Sequence, residues 1–246
     1  MISATHLLRV LVLPLVLVAT CLGLRAAPEA PARTFRIFTV IHVITDLKYD
    51  AAPGKSTPLV ISQVPFASLP IPRDNHVVLY KEIPPPADSP PGTPPVKVVM
   101  ADALVPADAP RVLIAVIPDD SGRFSTRVIP DDPAQHPVGQ LRFINLSKFH
   151  AALGLNREQY RLGPAEFALL GWPKDGGILV QVAANKNGEW ESVLRRERRA
   201  RKSARSYCIV FDYAPNPEEL LPDPMNPPPV TVRFFFENVT AIPAQK

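Results

Sequence analysis

Hydrophobic and polar positions alternate with a period of two through most of this chain, and no stretch shows the 3.6-residue repeat of an amphipathic helix. The clearest case opens at Ile178, where Ile178, Val180, Val182 and Ala184 alternate with Leu179, Gln181 and Ala183. Asn185-Lys-Asn-Gly188 follows, and an Asn-Gly pair tolerates the positive φ that a tight hairpin demands. The partner strand is expected from Trp190 through Ser192 to Leu194, with Val193 on the opposite face. A third strand, Ser206 to Tyr213, has large apolar residues on both faces and is expected at the centre of a sheet.

The rest of the chain reads in the same way. Phe35 to Thr45 is an apolar, β-branched run that predicts one long strand, with His42 as a half-buried packing residue inside it. Further strands are expected at Leu59–Val64, His76–Ile83, Val96–Ala101 and Arg111–Ile117, the last paired with Arg123–Ile129. Gly139–Ser147 follows, then a hairpin of His150–Leu155 and Gln159–Leu162, a return at Glu166–Leu170, and a final strand from Val230 to Glu237. Short strands separated by turn residues predict an all-β fold, an antiparallel, immunoglobulin-like β-sandwich with Pro-rich loops. Residues 137–240 form a self-contained unit in this reading. Residues 34–130 are an N-terminal β region, either part of the same sandwich or a separate subdomain.

Composition supports the strand reading. The chain has 31 prolines against 11 glycines in 246 residues, and proline lacks the amide donor that helices need. Pro84–Pro95 and Ala214–Pro229 each hold seven prolines, and are expected to be a long loop or linker and an irregular connection. Residues 1–26 have the layout of a signal peptide: one positive charge, then an apolar run too short for a comfortable bilayer span. Export to a periplasmic or extracellular location is the expectation, with no transmembrane segment once the signal is removed. Val18-Ala-Thr-Cys21 offers a second reading as a lipoprotein anchored through Cys21, and an uncleaved signal anchor is the third. Without Cys21, Cys208 has no disulfide partner and is expected to be an inert buried thiol.

Gly139-Gln-Leu-Arg-Phe-Ile-Asn-Leu-Ser147 followed by Tyr160-Arg-Leu-Gly-Pro-Ala-Glu166 resembles secreted bacterial β-sandwich envelope domains, including a periplasmic accessory type from alginate acetylation. In those domains the second turn reads Leu-x-Pro-Gly-Glu, so the order of Gly and Pro here departs from the pattern. The resemblance covers about a third of the chain, rests on turn chemistry, and implies a fold rather than a set of catalytic residues.

Candidate chemistry is sparse. Val-Ile-Pro-Asp-Asp occurs at 116–120 and at 128–132. The two acid pairs would stand at opposite ends of one hairpin, roughly 20 Å apart, too far to share an ion, and are read as turn-forming aspartates. His42, His76, His136 and His150 lack metal-ligand spacing, so neither a metal nor a cofactor is expected. No nucleophile elbow or phosphate-cradling loop is present, and a triad built from Ser147, His150 and a distant aspartate is the remaining enzymatic reading. Trp172 and Trp190 could stack on sugars, but Trp190 beside the Asn-Gly turn is read as a packing residue. The expectation is a protein without catalytic residues.

One charge feature stands out. Arg195, Arg196, Arg198, Arg199, Arg201, Lys202 and Arg205 lie within eleven residues that hold one acid, a local charge of +6 in a chain of +4. This run is expected as a connection between strands. It could grip an acidic polysaccharide or anionic lipid bidentately, or simply keep a sheet edge from pairing. Nucleic acid is disfavoured because no aromatic residues interleave with the arginines. The sequence thus points first to an envelope or surface accessory module contacting other proteins, and second to a module binding an anionic envelope polymer.

Overall fold

The computed structural model describes residues 32–40, 42–65, 67–119, 122–173, 177–213 and 227–238. The signal-peptide and Cys21 readings, and most of the second proline-rich connection, lie outside the described residues. Among these residues no helix is long and apolar enough to cross a membrane.

The described chain is all-β. The first half contains β1 (Thr34–Thr39), β2 (Ile44–Ala52), β3 (Lys55–Ile61), β4 (Leu69–Pro70), β5 (His76–Ile83), β6 (Val96–Leu104), β7 (Arg111–Pro118) and β8 (Phe124–Pro130). The second contains β9 (Gln140–Asn145), β10 (His150–Leu155), β11 (Glu158–Leu162), β12 (Phe167–Gly171), β13 (Ile178–Lys186), β14 (Glu189–Arg198), β15 (Ala204–Asp212) and β16 (Val230–Asn238). Each half is a two-sheet sandwich. In the first, the sheet β4-β1-β7-β8 packs on β3-β2-β5-β6 around Phe35, Leu47, Tyr49, Leu79 and Ile114. In the second, β12-β9-β15-β16 packs on β11-β10-β13-β14 around Leu141, Phe143, Leu153, Val180 and Cys208.

The two halves have the same topology, strand for strand, offset by eight. Both place their first strand parallel to their seventh: β1 beside β7 with Arg36 opposite Leu113, and β9 beside β15 with Arg142 opposite Tyr207. These parallel pairs make one sheet of each sandwich mixed. The register extends the equivalence to side chains. Leu113 faces Ile129 as Tyr207 faces Phe235, which makes Arg111 the counterpart of Arg205 and Asp131 the counterpart of Glu237.

The two mixed sheets meet in a third core of Phe38, Leu113, Ala115, Ile129, Ile144, Tyr207, Ile209 and Phe235. Tyr207 and Phe235 stack at 4.4 Å between centroids, and each such aromatic buried contributes about 1.5–3 kcal/mol. β15 therefore lies between two cores, which is why eight of its nine residues are buried. That agrees with the central position expected for it.

Three local expectations change. The apolar run from Phe35 to Thr45 is two strands: β1 ends at Thr39, and the chain crosses to the opposite sheet before β2 begins at Ile44. His42 sits exposed on that crossing rather than half-buried in a strand. The strand after the Asn-Gly turn does not stop at Leu194 but continues to Arg198, into the basic run. The turn itself is as read, with Asn187 at φ 56° and Gly188 at φ 93°, and Lys186 paired with Glu189. Val193 forms a bulge, since Ser192 pairs with Ala183 and Leu194 with Val182. Pro84–Pro95 is a loop, because its flanking residues Ile83 and Val96 pair directly.

Candidate functional site

The basic run divides into three environments. Arg195 and Arg196 belong to β14, paired with Gln181 and Val180, and β14 is the outer strand of its sheet. These two, with Arg199, Arg201 and Lys202, are exposed and form no ion pair among the described residues. Arg201 lies over the Phe236 ring at 4.6 Å. Beside them a recess of about 700 Å³ is lined by Gly177, Glu197, Arg198 and Arg199.

Arg198 is different. It pairs with buried Ile178, turns toward the sandwich interior and stacks on Phe234 at 4.3 Å, closing the open side between β14 and β16. Burial, and then neighbouring Arg196, push its guanidinium below its ordinary pKa. Its stem and cation face act as packing. Arg205 is not part of the exposed patch at all. It is 2% exposed, at the start of β15, with Nη2 2.5 Å from Glu237 Oε1. Two of the seven arginine and lysine residues expected to bind anions at the surface, Arg198 and Arg205, are therefore occupied within the fold. The reason is the extension of β14 and the early start of β15, which turn alternate side chains inward.

The connection after β14 is pinned from below. Gly139 has φ +80°, donates its N–H to the Ala204 carbonyl, and a Cβ there would meet the Lys202 carbonyl oxygen at 3.1 Å. Glycine suits both the backbone conformation and this close approach, each of which a Cβ would strain.

Arg205 leads into a charged seam between the two halves. Asp131, fully buried, accepts bonds from Arg36 Nη2 at 2.7 Å, Arg111 Nε at 2.8 Å and the Tyr207 hydroxyl at 2.8 Å. Glu237 lies 2.9 Å from Arg36 Nη1 and 3.3 Å from Arg111 Nη2. Burial pushes the Asp131 carboxyl up, but Arg36, Arg111 and the Tyr207 bond outweigh it and hold the group below its ordinary value. Tyr207 is pushed up, first by burial and then by Asp131. Arg142 donates to the Pro130 carbonyl, lies over the Phe167 ring at 5.7 Å, and forms no ion pair with a carboxylate among the described residues.

His136 packs edge-on against Tyr207 at 4.7 Å, and its Nε2 lies 3.3 Å from the Gln140 carbonyl. Burial, then the positive charge of Arg142, lower its pKa to about 4. Asp131 was read from the sequence as a turn former, and this is corrected: it is the central acceptor of the seam. Asp119 and Asp132 do serve turns, accepting the N–H groups of Arg123 and Ala134.

The other candidates are placed as follows. Ser147 Oγ donates to Asn145 Oδ1 at 2.7 Å, in a turn whose Asn145 amide binds the Phe149 and Gly163 carbonyls. His150 is exposed on β10 and forms no hydrogen bond to Ser147, so the structure does not assemble that triad. Ser147 does line a cleft of about 730 Å³ between the halves, with Lys148, Asp212, Arg127 and Phe211, at the end of the seam opposite the arginines. Trp190 is 41% exposed beneath Arg161 at 5.3 Å, a stacked surface residue rather than a core one. Cys208 is fully buried, and burial raises its thiol pKa. Among the described residues no group of three or more His, Cys, Asp or Glu side chains could hold a metal ion.

Little in the sequence signals the seam, because its charges lie in or beside strands up to about two hundred residues apart. Its signal was a lone arginine in an otherwise apolar strand, occurring twice: Arg36 in Phe-Arg-Ile-Phe and Arg142 in Leu-Arg-Phe-Ile. No family model matches the chain, and a search of curated proteins finds no match either.

Proposed function

We propose that the protein is a non-catalytic, exported accessory module of the cell envelope or surface, and that its working surface is the arginine edge formed by β14 and the connection after it. The observation that supports this reading is the division of the basic run. The fold uses Arg198 and Arg205 internally, while Arg195, Arg196, Arg199, Arg201 and Lys202 are exposed cations without an acidic partner among the described residues. Guanidinium groups at this density suit bidentate contact with the carboxylate, sulfate or phosphate groups of an acidic polysaccharide or lipid headgroup.

The test is retention on heparin-agarose across a salt gradient. Charge reversal of Arg195, Arg196, Arg199 and Arg201 to Glu should move elution to low salt while leaving the circular dichroism spectrum intact, since the two structural arginines are untouched. Equal retention of this variant would end the reading.

A second reading has support of its own. Among the described residues β14 pairs only with β13 and is the edge strand of its sheet, which suits strand addition by a protein partner. Such a contact would persist at salt concentrations that abolish heparin retention.

A further inference from the structure

The seam contains more positive charge than its acids can neutralise, and the excess lies in the second half. Arg36, Arg111 and Arg205 pair with Asp131 and Glu237, while Arg142 feels Asp131 and the half-buried Asp132 without an ion pair to either, four cations to three anions. The internal repeat would give each half one carboxylate for its own two arginines. Instead Asp131 and Glu237 both bind Arg36 and Arg111, and Glu237 alone also reaches Arg205.

What remains, among the described residues, is a set of buried atoms without hydrogen-bond partners: Arg142 Nε, Arg205 Nε and Nη1, His136 Nδ1 and Gln140 Oε1. His136, Arg142 and Arg205 are 0%, 3% and 2% exposed. Their positions converge. Arg142 is opposite Tyr207 on adjacent parallel strands, and Arg205 lies two residues before Tyr207 on the same face. His136 packs on the Tyr207 ring and bonds the Gln140 backbone.

A guanidinium cannot shed its proton in a protein, so a buried pair of this kind cannot relieve its repulsion by titrating. The carbonyl that Arg142 uses neutralises none of its charge. Each unmet donor carries its full desolvation cost, which is larger for a charged group than for a neutral one.

We propose that a halide-sized anion, chloride in solution, binds between Arg142 and Arg205, receiving N–H donors from both guanidinium groups. The near-complete burial of these residues sets the size, because a larger oxyanion would have to part the two halves. Gln140 can turn its amide to present Nε2 as a further donor. This site is separate from the exposed arginine edge, and binding there would lock the two sandwiches together rather than recruit a partner.

Two measurements test it. Crystals of the wild-type chain grown in sodium bromide should show an anomalous difference peak within hydrogen-bonding distance of both guanidinium groups; water alone at that position would overturn the proposal. Thermal melts in sodium chloride and sodium gluconate at equal ionic strength should show wild type melting a few degrees higher in chloride, as expected for a ligand bound only by the folded state. Arg142→Met keeps the bulk of the side chain and removes its charge, and should abolish the difference. Equal wild-type melting in both salts, or a chloride effect undiminished in Arg142→Met, would contradict the site. The bromide experiment stands even if the variant fails to fold.

Discussion

Replacing Asp131 with asparagine changes one atom and should cost more stability than any surface substitution in this protein. The side chain is 0% exposed and accepts charge-assisted bonds from Arg36 and Arg111 and a hydroxyl bond from Tyr207. Asparagine keeps the shape but removes the negative charge, and it turns an amide donor toward groups that are themselves donors. Two guanidiniums are then left to Glu237 alone, which also holds Arg205. Removing one member of a buried ion network costs about 3–5 kcal/mol, and for a chain of this size that lowers Tm by roughly 10–15 °C.

Urea unfolding followed by tryptophan fluorescence and circular dichroism gives the midpoint and the slope, and Asp132→Asn is the control. Asp132 is only half-buried and uses an oxygen that asparagine retains, so that variant should lie within about 0.5 kcal/mol of wild type. If Asp131→Asn unfolds within about 1 kcal/mol of wild type, the seam does not hold the halves together as argued.

Further outcomes follow from the same geometry. His136 has its pKa lowered to about 4, so the folded state stays unprotonated where the unfolded chain binds a proton. Stability should therefore fall as pH drops from about 6.5 to about 4, by up to about 3 kcal/mol, and His136→Gln should flatten that part of the profile. The profile is best measured in gluconate, because an anion beside Arg142 and Arg205 would offset part of the depression; Asp131, also lowered, adds its own loss only at more acidic pH, as it protonates. Gly139→Ala should destabilise by about 1–2 kcal/mol in urea unfolding, through its positive φ and the tight 3.1 Å approach to the Lys202 carbonyl. Cys208 should resist a thiol reagent in the native protein and react in urea, read by mass spectrometry of its peptide.

The period-two pattern carried the strands because each sheet has a dry face, and the Asn187-Gly188 turn was legible because so few residue types adopt that backbone. Other features lay outside such a pattern. Phe35–Thr45 reads as one strand because both sheets it visits are apolar, so nothing in the sequence marks the crossing after Thr39. Arg195–Arg198 has no visible alternation because four consecutive residues are charged, yet pairing with Ile178–Gln181 turns Arg198 onto Phe234. That pairing decides which cations are available, and a sum of charges along the run cannot show it. The seam depends on registers that bring Arg36, Asp131 and Glu237 together across the whole chain. Only the recurrence of an arginine at the same place in β1 and β9 hinted at the repeat behind it.

The division of the basic run is tested most directly by the salt dependence of binding to a heparin oligosaccharide. Five available cations predict a slope of log K against log salt of roughly −3 to −4, by analogy with a flexible polyanion. Glutamine at Arg195, Arg196, Arg199 or Arg201 should each reduce its magnitude by about 0.7. A slope near zero in the wild type, or one that those substitutions leave unchanged, would contradict the account.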